Sequence, residues 1–398
     1  MPGSTGKPRH EWQTDIKAMS QKPEKTQASG ISVPAVLHLQ SRFFAATRGL
    51  WRRMANLETV AVREEIDRLD IDCPVYVTSL PRSGTTILTE MLEQHPDLTC
   101  HRYSDFPNVW TPYWRNYLLQ KTRKKAPKLA ERAHKDRIQI SNDSPEAVEE
   151  VLWMYFFPSV HDEQSNNLLD GSTCNSEFNL FYREHVLKLL AVRRAKRYLA
   201  KGNYNVSRIR YILSLFPDAK FLIPVRDPVH HVASLGKQHA LFNLASREDP
   251  RIPLQLALSG HFEFGPDRTH VNFGDSQLSR AISDAWLHGR EVEGWARYWA
   301  MTYQHILDQL QEFSAVRDAC LLFRYEDFCT HSAVVIDAIL DHCKLSPEEF
   351  KPIRSAYIER LTLPDYYQPD FNPDELQQIS LHCDPVNESL ANFCRIPV

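Results

Sequence analysis

Apolar residues follow two different spacings along the chain. Over residues 32–69 they fall at helical spacing, which predicts an N-terminal helical region at residues 31–72. From Pro74 onward, short apolar runs alternate with further helical patterns, which predicts strands separated by helices. Residues 1–30 are polar and rich in helix breakers, so they are predicted to form a disordered tail.

Three short apolar runs are predicted to be strands of one sheet, at residues 75–78, 220–225 and 320–325. Their nearly continuous apolar character is typical of a parallel sheet covered on both faces, although Pro224 weakens this interpretation or places the run beside a bulge. The alternation of helices and strands predicts an α/β fold with a central parallel sheet flanked by helices. No repeat or clear linker divides the chain, so residues 73–398 are predicted to form a single large domain with ligands at the carboxyl ends of the strands.

The first predicted strand leads directly into a glycine-containing loop and then a helix. Such a loop presents free backbone N–H groups at the positive end of a helix dipole, which favours anion binding. Gly84 permits close backbone approach, and Thr85 and Thr86 add hydroxyl donors. Arg82 supplies a charge that is not lost near neutral pH. The segment therefore predicts a phosphate site, although on its own it also fits a merely structural turn.

The loop departs from the nucleotide-kinase pattern G-x-x-x-x-G-K-[ST] at two positions. Ser79 stands where that pattern has its first glycine, and Thr85 stands where it has lysine. Without the lysine, the loop lacks the side chain that binds the β- and γ-phosphates in that pattern, and there is no reason to expect obligatory Mg²⁺. A kinase or nucleotide hydrolase on the same sheet remains an alternative that the missing lysine disfavours.

Residues 81–86 resemble the 5′-phosphosulfate loop of sulfotransferases, particularly the protein-tyrosine and bacterial carbohydrate-type branch. Arg226 at the end of a predicted strand and Ser234 eight residues later are similar to the pair that holds the 3′-phosphate in that family. Residues 201–205 resemble its lysine-containing segment, and residues 324–327 its Tyr-Glu-Asp strand end. Without this resemblance, Arg226 fits a structural ion pair and Ser234 a surface helix position.

The resemblance implies a P-loop NTPase-like sheet and an enzyme that moves a sulfuryl group from 3′-phosphoadenylyl sulfate (PAPS) to a hydroxyl acceptor. The product nucleotide would be adenosine 3′,5′-bisphosphate (PAP), and no metal would be needed. Arg82 and Lys201 would stabilise charge on the leaving phosphate during in-line transfer. A non-catalytic adaptor that retains the nucleotide site remains an alternative. The implied nucleotide-binding residues are Arg82, Ser83, Gly84, Thr85, Thr86, Arg226, Ser234 and Tyr325.

A general base must accept the proton of the acceptor hydroxyl, and His or Glu suits that role. His101 is the first candidate and Asp105 the second, because both directly follow the first helix and related enzymes place a Glu or a His near the acceptor. Glu149 is a third candidate. Each has a structural alternative: a structural histidine, a helix cap at Asp105, and a helix start at residues 144–146.

Composition limits the partners. The 398 residues hold 47 Lys and Arg against 50 Asp and Glu, a net charge of -3, so no overall attraction for nucleic acid is expected. Eight scattered cysteines without C-x-x-C spacing predict reduced thiols, and the 17 histidines show no H-E-x-x-H cluster. With neither a signal-peptide core nor an apolar run long enough to span a bilayer, the predicted location is the cytoplasm.

The acceptor is left open among carbohydrate, lipid, peptide tyrosine and small alcohol, and so is the oligomeric state. Residues 103–114 and 364–373 are rich in aromatic residues and proline, which fits an acceptor cleft or simple packing. Arginines among the apolar residues of 32–69 leave peripheral membrane contact as an alternative to a helix packed on its own domain. The basic run at residues 121–137 fits either a solvated helix face or a dock for an anionic glycan or lipid headgroup.

Overall fold

The computed structural model describes residues 28–122, 130–131, 139–364, 368–394 and 396. Seven strands lie in these ranges: β1 (Val75–Val77), β2 (Leu98–Thr99), β3 (Ala130–Glu131), β4 (Gln139–Ile140), β5 (Arg197–Lys201), β6 (Lys220–Val225) and β7 (Cys320–Arg324). Five form a sheet in the order β2-β5-β1-β6-β7, in which every neighbouring pair is parallel. Strands β3 and β4 form a separate antiparallel pair.

The helices of the described residues surround this sheet. In chain order they are α1 (Ala35–Ala46), α2 (Arg48–Ala61), α3 (Arg63–Ile66), α4 (Thr85–Leu92), α5 (Pro112–Thr122), α6 (Glu150–Phe156), α7 (Ser176–Arg193), α8 (Ile209–Leu215), α9 (Pro228–Glu248), α10 (Ile252–Ser259), α11 (Ser276–Leu287), α12 (Glu291–Glu312), α13 (Ser314–Ala319), α14 (Tyr325–Thr330), α15 (Ser332–His342), α16 (Pro347–Arg360) and α17 (Pro373–Leu390), with short 3₁₀ turns at Tyr103–Asp105 and Asn203–Ser207. None of these helices is both long and apolar enough to cross a membrane.

The sheet is buried on both faces, as its apolar strands predicted. Successive side chains of a strand point to opposite faces. Tyr76 therefore joins one core cluster, and its neighbours Val75 and Val77 join the other. The predicted α/β fold with a central parallel sheet flanked by helices is confirmed.

Pro224 lies within β6 without the bulge that was one interpretation of that run. It pairs with Phe323 of β7 in an unbroken register. On the other edge, β6 pairs with β1 only through residues 220–222, so Pro224 lies beyond that ladder and its missing N–H removes no bond from it.

The sheet order decides where the site lies. Because β1 is central, with β5 on one side and β6 on the other, the carboxyl ends of all three strands meet at one edge. Lys201 ends β5, the glycine-containing loop follows β1, and Arg226 follows β6. Segments far apart in the sequence are thus brought to a single edge of the sheet.

The N-terminal helices pack on this body. Lys188 of α7 and Glu58 of α2 form a buried ion pair with 2.9 Å between Nζ and Oε2, and the backbone N–H of Trp114 donates to Glu58 Oε1 at 2.7 Å. Helix α1 is tied to α10, because the Gln255 amide donates to Ser41 Oγ at 3.0 Å. The predicted tail at residues 1–30, the basic run at 121–137 and the segment 364–373 lie wholly or partly outside the described residues.

Candidate active site

The loop after β1 is shaped to hold an anion. Arg82 and Gly84 both have left-handed backbone conformations, with φ of 74° and 97°. Gly84 is the N-cap of α4, and no side chain caps this helix end. A Cβ atom on Gly84 would lie 2.5 Å from Cδ2 of the Tyr325 ring, so only glycine fits beneath that ring. The loop therefore leaves the N-terminus of α4 open to an anionic ligand.

Ser79 and Ser83 hold the loop in place. The Ser79 hydroxyl lies 2.8 Å from both the Pro224 carbonyl and the Tyr303 hydroxyl, which ties the start of the loop to β6 and α12. The Ser83 hydroxyl donates to the Leu80 carbonyl at 2.8 Å and is buried. The serine that replaces the first glycine thus anchors the loop, and the Ser83 side chain supports the loop from inside.

The two segments predicted to hold opposite phosphates meet here. Nε of Arg82 donates to Ser234 Oγ at 3.2 Å, and Nη1 of Arg226 donates to the Arg82 carbonyl at 3.1 Å. The Arg226 guanidinium also lies 5.3 Å from the centre of the Tyr325 ring. Within the described part of the chain, Nε of Arg226 is buried without a hydrogen-bond partner. A buried donor in that state fits a site for an anion.

His231 supports the loop from α9. Its Nδ1 accepts a hydrogen bond from Nε1 of Trp299 at 3.2 Å, so its Nε2 carries the proton and donates to the Pro81 carbonyl at 2.8 Å. Burial lowers the pKa of His231 to about 3, and the nearby Arg226 and Arg82 add to that effect. The neutral tautomer therefore persists at neutral pH. No pattern in the sequence predicted this role.

A cavity of about 590 Å³ opens beside the loop. Its lining includes Arg82, Thr85 and Thr86 together with Lys201. Lys201 reaches this place because it pairs with Val77, the last residue of β1, across the β1–β5 ladder. Four of the predicted site residues thus share one cavity. Arg208, which follows the lysine segment, is buried and binds both carboxylate oxygens of Glu150, at 2.8 and 2.6 Å.

Two acidic residues and a histidine that sequence reasoning missed also line the cavity: Glu146, His261 and Glu263. Burial raises the pKa of Glu146, but the charges of Lys201 and His261 and a hydrogen bond from the Tyr103 side chain outweigh it and leave that pKa below its usual value. Burial likewise opposes the charge on Glu263, yet His261 lowers the pKa of this carboxyl to about 2. At neutral pH both carboxylates are ionised.

Glu146 is positioned by strand-like pairing. A helix start at residues 144–146 was the structural alternative for this segment, but α6 begins at Glu150, so that alternative was wrong. Pro145 instead forms an antiparallel bridge with Arg102, and the Glu146 N–H donates to the His101 carbonyl at 3.0 Å. This long-range pairing outweighs the local helix-start signal and directs Glu146 into the cavity.

His101 and Asp105 do not line the cavity within the described structure. His101 is 2% exposed, and its two ring nitrogens are engaged by Asp105 Oδ2 at 3.1 Å and by His185 Nε2 at 2.9 Å. Nη2 of Arg193 donates to Asp105 Oδ2 at 2.7 Å and the Asn116 amide donates to Oδ1 at 3.0 Å. Burial raises the pKa of Asp105, but Arg193 and His101 outweigh it and hold this pKa well below the usual range. The geometry disfavours both residues as bases. Their hydrogen bonds hold the segment in which the neighbouring residues Tyr103, Ser104 and Phe106 line the cavity.

Glu149 lies in a smaller adjoining cavity of about 20 Å³, together with Lys201. Burial raises the pKa of Glu149. Its side chain is buried. Among the described residues, Glu146 thus lines the large cavity, whereas Glu149 lines only the small one.

Away from these charged groups the large cavity is mainly apolar. Part of its wall comes from residues 103–114, one of the two segments predicted to form an acceptor cleft, through Phe106 and Pro107. Other apolar walls come from α1, α5 and α10. Representative apolar lining residues are Val33, Leu37, Phe106, Leu119, Ile252 and Phe264.

The amino-acid sequence of this chain is similar to those of known sulfotransferases. Residues 74–259 match the model described as the sulfotransferase family. Two curated proteins, both named omega-hydroxy-beta-dihydromenaquinone-9 sulfotransferase Stf3, from Mycobacterium bovis and Mycobacterium tuberculosis, are 23% identical over 292 residues, 69% of this chain and 67% of theirs.

Solved structures of two mycobacterial sulfotransferases are also similar. STF1 from Mycobacterium tuberculosis has a TM-score of 0.49 at 13% identity and covers 89% of this chain and 85% of its own. STF9 from Mycobacterium avium has a TM-score of 0.47 at 14% identity, with 84% and 80% covered. The family match over residues 74–259 includes the phosphate loop, Lys201, Arg226 and Ser234, and through this segment the chain is similar to the sulfotransferase family.

Proposed function

We propose that this protein transfers a sulfuryl group from PAPS to the hydroxyl group of an acceptor with an apolar chain. The observation that carries the proposal is one cavity that combines the phosphate loop, Lys201 and Glu146 with mainly apolar walls. Cations and helix-terminal donors suit an anionic donor, and the apolar walls suit a hydrocarbon chain.

The nucleotide would be held from two sides. Arg226 and Ser234 would bind the 3′-phosphate, and Tyr325 would lie near the nucleotide at the loop that it covers. Residues 82–86 would bind the 5′-phosphate. The buried Nε of Arg226, which has no partner among the described residues, supports this assignment. PAPS would supply the activated sulfuryl group and PAP would leave; the sequence gives no reason to add a metal.

The chain's own residues would perform two tasks. Arg82 and Lys201, with the Thr85 and Thr86 hydroxyls, would stabilise the negative charge that develops on the leaving phosphate. Glu146 would accept the proton of the acceptor hydroxyl. Lys201 keeps the pKa of Glu146 low in the free protein. When an anion engages Lys201, that influence weakens, and Glu146 becomes a stronger base.

Two observations favour a lipid-like acceptor over the other classes that the sequence left open. The cavity walls are mainly apolar, whereas a carbohydrate site needs many polar contacts. The curated relatives are named for a hydroxylated dihydromenaquinone, an acceptor with a long apolar chain.

The kinase alternative is still disfavoured, because Thr85 stands where the kinase pattern has lysine. Against the adaptor alternative stand Arg82, Lys201 and Glu146 in one cavity, since a binding module would not need a base there. We also keep residues 73–398 as the proposed domain and the cytoplasm as the proposed compartment. All eight cysteines are free thiols, which fits a reducing environment.

The test is calorimetric titration with PAP in the absence of metal, with ATP and Mg²⁺ as the rival ligand, on the wild type and Arg226→Ala. Metal-free binding of PAP that the substitution weakens at least about tenfold supports the nucleotide site. Transfer of labelled sulfate from PAPS to a long-chain primary alcohol then tests the chemistry. Preference for ATP with Mg²⁺ would overturn the proposal, and PAP binding without transfer to any acceptor would favour the adaptor.

A further inference from the structure

Helix α1 has an inner and an outer apolar side. On the inner side Leu37 lines the large cavity, and the buried Ser41 accepts a hydrogen bond from Gln255. On the outer side Val36, Leu39 and Phe43 are 69%, 68% and 52% exposed. They follow one another at spacings of three and four residues, which places them along one face of the helix. A large apolar face is therefore left without a partner directly behind a wall of the cavity.

The same arrangement recurs on two other helices that wall the cavity. On α10, Ile252 lines the cavity while Leu254 is exposed. On α5, Leu119 lines it while Tyr117 and Leu118 are exposed. Exposed large apolar residues on a protein surface mark interaction sites when they cluster in this way. The helices that form the cavity thus also carry much of the exposed apolar surface.

The charged side chains exposed on α1 and α2 have one sign. Arg42, Arg48 and Arg53 are exposed. The one carboxylate side chain between positions 28 and 62 of the sequence is Glu58, which is buried and paired with Lys188. Although the whole protein is slightly acidic, this surface is basic. A basic amphipathic helix with exposed apolar side chains fits a bilayer interface that contains anionic lipids.

We propose that α1, with the exposed side chain of Leu254 on the neighbouring α10, docks the protein on an anionic lipid bilayer, from which the acceptor's apolar chain enters the cavity. This inference rests on the proposed function, since it is the lipid-like acceptor that must leave the bilayer. The lining residues Ser32, Pro34 and Gln40 are exposed, so the rim of the cavity lies at this same helix. An apolar chain could then pass from the bilayer with little exposure to water.

A second copy of the chain is the rival occupant of this face. An isologous contact through α1 would bring the same patch of each copy together, and with it the arginines of both copies. Among the described residues of α1 and α2 no exposed carboxylate is available to offset that repulsion. A bilayer with anionic headgroups provides the opposite charge instead.

The test uses the full chain and vesicles of phosphatidylcholine with and without phosphatidylglycerol, with binding measured by co-sedimentation. The variant Val36→Asp, Leu39→Asp, Phe43→Asp is expected to lose at least about tenfold in vesicle partitioning. The matched control Leu287→Asp, Leu381→Asp changes side chains that are 81% and 63% exposed on helices α11 and α17, and it should bind like the wild type. A second variant, Arg42→Glu, Arg53→Glu, should lose binding chiefly to the vesicles with phosphatidylglycerol.

PAP titration of each variant separates this inference from the proposed function. Unchanged PAP affinity in the α1 variant shows that it is folded, so its loss of vesicle binding supports the docking surface. If the wild type binds vesicles through α1 but does not bind PAP, the docking surface stands and the proposed function fails. Equal vesicle binding by the wild type and the α1 variant would overturn the docking surface. So would an α1-dependent dimer that binds no vesicles.

Discussion

Nε of Arg82 donates a hydrogen bond to Oγ of Ser234 at 3.2 Å, although the two residues are 152 positions apart. The sequence assigned them to opposite phosphates of one nucleotide, and the fold joins their side chains directly. Arg226 extends the contact by donating to the Arg82 carbonyl. Because these groups are joined by hydrogen bonds, a ligand that binds one of them is expected to affect the positions of the others.

Replacing Arg82 by Ala should lower turnover at least about a hundredfold, because a fixed cation at the leaving phosphate is removed. The free energy of unfolding should fall by only about 1–3 kcal/mol, the range for a lost hydrogen bond to a charged group, because the half-buried Arg82 donates to Ser234. Sulfate transfer and urea unfolding measure the two effects. Arg290→Ala, at a side chain that is 52% exposed, is the control. Near wild-type turnover by Arg82→Ala would remove the residue from the mechanism.

Gly84→Ala should destabilise the protein by more than about 2 kcal/mol, because its Cβ would meet the Tyr325 ring and its φ is left-handed. Gly289→Ala is the matched control: Gly289 also has a positive φ, of 73°, but nothing lies within 4 Å of its Cβ position. The control should therefore cost only about 1 kcal/mol. Urea unfolding measures both. Equal costs would show that Tyr325 does not close over the loop.

Glu146→Gln should lower kcat by about a hundredfold or more while PAP affinity stays near the wild-type value, because the amide cannot accept the proton. Glu149→Gln is the control and should keep most of the activity. Since the pKa of Glu146 is below its usual value, kcat/KM of the wild type should stay level through neutral pH and fall only under more acidic conditions. Loss of activity in Glu149→Gln alone would reverse the two assignments.

His231 should make stability depend on pH. Its pKa is about 3 in the folded protein and about 6.5 when unfolded, so between these values the unfolded state binds the extra proton. Its contribution is complete above about pH 6.5 and falls as the pH drops, by up to about 1.4 kcal/mol per pH unit. His231→Gln should flatten the pH dependence of the urea midpoint between about pH 7 and about pH 5. An unchanged slope would mean that His231 does not titrate as a buried neutral group.

Asp105→Asn should cost about 3 kcal/mol of stability, because it leaves the buried guanidinium of Arg193 without its charge partner. Asp67→Asn is the control: its ion pair with Arg63 spans 3.6 Å at the surface, and its removal should change stability by less than about 1 kcal/mol. Guanidinium unfolding measures both. Full stability combined with lost turnover in Asp105→Asn would restore Asp105 as a catalytic candidate.

Local patterns of residues were enough to predict several parts of this protein. Hydrophobic spacing and one glycine predicted the strand β1, the loop after it and the helix α4. A predicted strand end and a fixed spacing identified Arg226 and Ser234 as a candidate phosphate-binding pair. These features depend on neighbours within a few residues, so the pattern of residues is enough to predict them. The resemblance to sulfotransferases rests on the same local segments, and the family match confirmed it.

Which acidic residue faces the cavity depends on long-range packing. His101 and Asp105 had side chains suited to a base, but His185 and Arg193 of α7 hydrogen-bond to them. These contacts join residues more than eighty positions apart, so a local sequence pattern cannot predict them. Glu146 had the signature of a helix start, yet its pairing with the His101 carbonyl turns it toward Lys201. Burial, pairing and pKa are properties of the packed chain, because they depend on groups that only folding brings together.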